Sequence, residues 1–199
     1  MPADAYDEEL QPDMTVQPPA AVEEPSRALL RVELITDGFR MVGSLEIHRA
    51  GGRLVDFLNF GGEPVFVLHD AEVTGLERES DKTSHWPIAQ VRREAIALAI
   101  SREHGPPAAE PEQPLEYVAK EPHRVSFLLP AFAVVGDLHL AKEVDINAAS
   151  PIRGSDFVPL TDAEATYLPH PTLVWRAAVI IVNVAKVEVC CPSADLSPQ

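Results

Sequence analysis

The chain has 199 residues, 46% of them apolar and 24% charged, and a net charge of −15 at pH 7. That apolar share suits a folded globular protein, and the acidity disfavours a polyphosphate partner such as DNA. No stretch approaches the ~18 apolar residues of a membrane span, no signal peptide is visible, and the two cysteines, Cys190 and Cys191, are adjacent, which suits poorly the geometry of a mutual disulfide; a cytoplasmic protein without membrane contact is expected.

Residues 1–27 hold seven acids, one base and no apolar periodicity, and are expected to be a disordered, proline-rich acidic tail. Alternation begins at Leu30, Val32 and Leu34, interleaved with Arg31 and Glu33. It resumes at Met41, Gly43, Leu45 and Ile47. Period two predicts two half-buried strands, and Asp37-Gly38 between them predicts a tight hairpin whose turn uses positive φ. Residues 49–64 read as a loop, followed by a strand over 65–68 that runs into Asp70-Ala71-Glu72 and Val73. Residues 88–94 and 95–100 read as a last hairpin, although the Ala, Glu, Arg and Leu of 88–101 would also suit a helix. Residues 103–121 form a proline-stiffened acidic linker. From 122 to 192 the strand signals return, ending in 174–183 and 184–189, the most apolar and β-branched stretch of the chain; 193–199 is a polar tail.

The two halves are one pattern written twice. Residues 31–48 align without gaps on 124–141, 93 positions later, with six identities in 18: Arg31/Arg124, Val32/Val125, Phe39/Phe132, Val42/Val135, Gly43/Gly136 and Leu45/Leu138. Residues 65–76 align on 157–168 at an offset of 92, again with six identities, among them Asp70-Ala71-Glu72 against Asp162-Ala163-Glu164. Residues 91–99 keep apolar character against 182–190 at an offset of 91. A tandem duplication with small loop deletions explains offsets that shrink along the chain. The alignment also decides 88–101 in favour of strands, because its second copy is plainly strand-like. One departure stands out: Pro130-Ala131 replaces Asp37-Gly38, so the second hairpin must turn differently. Residues 28–102 and 124–192 carry a net −2 each, so the acidity resides in the connectors.

Five short strands per copy predict an all-β protein of two tandem small five-stranded barrels, 28–102 and 122–192, joined by the proline-rich acidic linker. The signal order resembles the Sm-like (LSm-type) barrels within the wider SH3-like group. The residues that carry the resemblance are Val32, Leu34, Asp37-Gly38, Met41, Gly43 and Leu45, then Asp56 and Asn59, then 65–70. In the second copy they are Val125, Phe127, Gly136 and Leu138, with Asp145 and Asn147 in the loop. The chain looks closest to uncharacterised bacterial families of that appearance. The resemblance implies strand edges that pair between subunits, and a nucleotide-binding candidate formed by Asp56, Asn59, Arg92 and Arg93. The second copy has Asn183-Val184-Ala185 where the family places a cation, which counts against RNA binding there.

Other candidates are weaker. The repeated acids Asp70, Glu72, Asp162 and Glu164 could serve as ligands or acid–base pairs, but two carboxylates supply too few ligands for a tight metal site. Seven histidines are scattered without metal-ligand spacing, and no phosphate loop or nucleophile motif is present, so no cofactor, no metal and no enzymatic activity are expected. Val179, Ile180, Ile181 and Val182 are four consecutive β-branched residues; as an open edge they would aggregate, so they should be covered or paired. The function expected is a non-enzymatic interaction scaffold or adaptor that binds a protein partner or itself through strand edges. An RNA-binding Sm-like protein is the alternative, disfavoured by the charge balance.

Overall fold

The computed structural model describes residues 28–47, 52–60, 62–77, 82–102, 119–142 and 156–192. The acidic tail, most of the linker, the polar tail, Asp145 and Asn147 fall outside them. The first copy contributes β1 (Ala28–Thr36), β2 (Phe39–Ile47), α1 (Leu54–Phe60), β3 (Val65–Gly75), β4 (Ser84–Arg92) and β5 (Ile96–Ser101). The second contributes β6 (Lys120–Leu128), β7 (Phe132–Ala141), β8 (Phe157–Tyr167), β9 (Val174–Asn183) and β10 (Val189–Pro192). One 3₁₀ turn separates β4 from β5 (Arg93–Ala95) and another separates β9 from β10 (Val184–Lys186).

The protein is all-β, as the alternation requires, and residues 88–101 are strands flanking a turn. The strands of both halves join in one continuous antiparallel sheet that does not close. Its strand order is β10-β6-β7-β8-β9-β5-β1-β2-β3-β4. Each copy supplies the same internal order, last strand first, and the copies join where β9 pairs β5 through Leu98↔Val182 and Ala99↔Ile181.

The residues shared between the copies form one device. In β2–β3 the register slips so that Gly43 alone opposes Asp70 and Ala71, and in β7–β8 Gly136 alone opposes Asp162 and Ala163. Asp70 (φ 47°) and Asp162 (φ 44°) adopt the left-handed conformation that such a bulge demands and that Asp tolerates better than most residues. A Cβ on Gly43 would lie 2.6 Å from Leu68 Cγ, and one on Gly136 would lie 2.8 Å from Leu160 Cβ. The glycine permits the close crossing and the aspartate permits the bend. Both were kept together.

Two local expectations need correction. Residues 54–60 are helical rather than loop, because Leu54 and Leu58, four apart, turn one face into the core and both are buried. Arg93 caps the end of this helix, donating to the carbonyls of Phe57 (3.3 Å) and Leu58 and lying 5.9 Å from the Phe57 ring centre. The Asp37-Gly38 hairpin is present, but neither residue has a left-handed φ. The Thr36 hydroxyl closes the turn by accepting from the Phe39 N–H at 3.0 Å. The Pro130-Ala131 hairpin does turn differently, through reciprocal backbone bonds between Leu129 and Phe132 (2.8 and 3.3 Å).

Two hydrophobic clusters form the core, and each borrows from the other copy. The second-copy cluster takes in Ile35, Leu76, Ala97, Leu98 and Ile100; the first-copy cluster takes in Phe157 and Ile181. Every residue of 96–100 is buried, because Ile96 and Ala99 face the first cluster while Ala97, Leu98 and Ile100 face the second. Each large side chain so buried contributes about 1.5–3 kcal/mol.

Candidate functional site

Polar contacts complete the joint between the copies. The Asn59 side chain on α1 bonds both backbone groups of Phe157, donating to its carbonyl and accepting from its N–H, each at 2.9 Å. Asn183 donates to the Ile96 carbonyl at 2.8 Å. Glu33 on β1 is fully buried; it pairs with Arg40 and Arg102 and accepts from Trp175 Nε1 of the second copy at 3.0 Å. Lys186 pairs with Asp37 at 2.6 Å, and the Tyr167 hydroxyl donates to the Asp37 carbonyl at 3.3 Å. Burial above all, with the Glu77 and Asp37 carboxylates adding to it, raises the Tyr167 phenol above its ordinary pKa.

Of the nucleotide-binding candidates, Asn59 spends its amide across the joint, and Arg93 donates through Nε to the Glu63 carbonyl (2.9 Å) and through Nη1 to α1, while its buried Nη2 has no hydrogen-bond partner among the described residues. Arg92 is exposed and pairs with Glu94, and Asp56 lies in the first turn of α1. Arg92 and Arg93 line one side of a cleft of about 580 Å³ whose other side is Asp156, Phe157 and Asn183. Asn59 thus acts beside this cleft by holding its wall. The repeated acids separate by role: Asp70 and Asp162 form the bulges, Glu72 pairs with Arg31 at 3.3 Å, and Glu164 pairs with Arg176 at 2.7 Å. No cluster of three metal-ligating side chains occurs among the described residues.

Val179, Ile180, Ile181 and Val182 all pair with β8, and Ile181 and Val182 pair with β5 as well. These four residues are therefore paired inside the chain. Two other edges remain without a strand partner among the described residues, β4 at one end of the sheet and β10 at the other. Beside the first, Trp86 and Ile88 are more than half exposed, and Val65 and Val67 on β3 are exposed next to them. Beside the second lie the exposed Val189 on β10 and Leu128 on β6. Sequence reasoning did not single out these residues. The signal was available in the alternation of β4, where Trp86 and Ile88 fall on one face. Cys190, half-buried on β10, has its thiol pushed up by burial and by the neighbouring Cys191.

The fold and its edges define an all-β protein with exposed apolar side chains at both strand margins, and with others elsewhere, among them Phe60 on α1 and Leu29 on β1. No helix among the described residues is long and apolar enough to cross a membrane. Compared with known protein families, curated proteins and solved structures, the chain matches none.

Proposed function

We propose that the protein is a non-enzymatic interaction scaffold that works by strand addition at β4 and β10. The observation that carries this reading is the pair of edges without a strand partner among the described residues, flanked by large exposed apolar side chains, Trp86 and Ile88 on one and Val189 with Leu128 on the other. An unpaired strand offers a row of backbone donors and acceptors, and apolar side chains beside it add the driving force for a partner to dock. The β9–β5 joint supplies a working example, since one copy of the unit already adds strands to the other.

The test compares the full chain with an Ile88→Glu/Val189→Glu variant. The reading expects associations of the wild-type chain, seen by light scattering or cross-linking, to be lost in the variant while its circular dichroism is unchanged. Associations that survive both charges refute it. Oligo(U) binding with a steep salt dependence would refute it in favour of RNA recognition. Such binding is not expected, because Asn59 is committed to the backbone of Phe157 and Arg92 is paired with Glu94.

A further inference from the structure

We infer that the gap between β5 and β9 is a docking site for an extended acidic peptide of a partner protein, which inserts there as an added strand. The site lies inside the sheet, apart from the outer edges β4 and β10, and so goes beyond the proposed function. The two strands pair only through Leu98↔Val182 and Ala99↔Ile181, and past Ala99 they part. Between them lies a cleft of about 530 Å³, lined by residues 100–102 at the end of β5 and 174–179 of β9. Its volume is that of a site able to hold a ligand.

The walls suit a strand. β9 pairs with β8 from Val174 onward, whereas its β5 side is taken only at Ile181 and Val182. Between Val174 and Ile180 that side has no strand partner among the described residues. β9 is the fifth of ten strands, so an interior strand here carries an open flank. Exposure follows the pairing. Ala178 is exposed and Val179 is 40% exposed, while Ile180 is 0% and Ile181 5% exposed. An open flank offers backbone donors and acceptors to an incoming strand, and apolar side chains beside it gain from being covered.

Charge selects the occupant. The chain has 31 acids and 16 bases, yet the lining of this cleft holds Arg102 and Arg176 and no acid. Beneath it the buried Glu33 carboxylate faces two guanidiniums, Arg40 and Arg102, and accepts from Trp175 of the β9 wall. One negative charge against two positive ones leaves an excess positive charge beside the cleft, which an incoming carboxylate neutralises. Arg176 pairs with Glu164, but 71% of its side chain is exposed and its guanidinium has further donors to give. Trp175 and Arg176 are neighbours on a strand and point to opposite faces. Two consecutive acids on an inserted strand divide in the same way, one to the face of Trp175 and Arg102 and one to the face of Arg176.

The experiment uses the full chain carrying Trp86→Phe, which leaves Trp175, in the cleft wall, as its one tryptophan. The probe is the peptide Ala-Val-Glu-Glu-Val, capped at both ends. A saturable change in Trp175 fluorescence is expected, weakening as salt rises. Ala-Val-Lys-Lys-Val should give none, and neither should the acidic peptide N-methylated at every residue, which has no backbone donors. Arg176→Glu, with circular dichroism unchanged, should weaken binding roughly tenfold, because a close charge contact turns from attractive to repulsive. An absent response overturns the inference, as does equal binding of the lysine peptide or of the N-methylated one. Binding that appears only after the acids of residues 1–27 are replaced by their amides also overturns it, since the occupant is then the chain's own tail. If the response vanishes in the Ile88→Glu/Val189→Glu variant, the peptide sits at the outer edges; the scaffold reading then stands and this one falls.

Discussion

Replacing Gly43 by Ala tests the claim that glycine and aspartate were kept together to let β2 and β3 cross closely. The added Cβ would lie 2.6 Å from Leu68 Cγ, 2.8 Å from the His69 carbonyl oxygen and 2.9 Å from Leu68 Cδ2. Leu68 is fully buried, and His69 is held in register opposite Ser44, so neither can swing aside. The strands must part, at an overpacking cost of about 1–3 kcal/mol. The narrower unfolded ensemble of Ala returns about 0.4–1 kcal/mol, leaving a net loss of about 1–2 kcal/mol. Gly38→Ala is the control. Its Cβ would meet nothing within 4 Å and its φ is not left-handed, so only the unfolded-state gain remains. Urea unfolding followed by circular dichroism should therefore move in opposite directions for the two variants. In thermal melts Gly43→Ala should lose roughly 2–8 °C, at about 2–4 °C per kcal/mol for a chain of this size. Equal stabilities of the two variants, or a more stable Gly43→Ala, would refute the close-crossing argument.

Other consequences follow from the joint and the bulges. Asn59→Ala strips both backbone groups of Phe157 of their partner and should cost about 1–3 kcal/mol in urea unfolding; a neutral result would mean that α1 does not brace the joint. Asp70→Gly should be tolerated, whereas Asp70→Val, with a β-branched side chain at φ 47°, should lose about 1–3 kcal/mol. Replacing both Arg40 and Arg102 by Met leaves the buried Glu33 carboxylate without a cation, and a loss of about 3–5 kcal/mol should appear in the same assay. The raised Tyr167 pKa means that the folded chain holds the phenolic proton more tightly than the unfolded chain, whose value is near 10.0. The associated stability is whole below that pH and declines as pH climbs from there through the folded pKa. Urea midpoints should fall across this alkaline range in wild type and fall less in Tyr167→Phe.

The sequence alone determined the strand count, most strand positions and the likeness of its two halves, because alternation with period two and gapless self-alignment are local records of which face is buried. It also marked Gly43, Gly136, Asp70 and Asp162 as special, without saying why. A bulge shows itself only when two strands are laid side by side, and then the acids prove to be bend formers. Helix α1 was missed because a seven-residue segment carries two buried leucines and too little periodicity to outweigh loop-like neighbours. Tertiary structure alone decided how the copies meet. Ile35, Leu98 and Ile181 look like ordinary strand residues in the sequence, yet each packs in the core of the other copy. Leu128, Val189 and Trp86 look no different and stay exposed. Identity at a position fixes what a side chain prefers. Only the neighbour that the fold brings to it decides whether that preference is met within the chain or left for a partner.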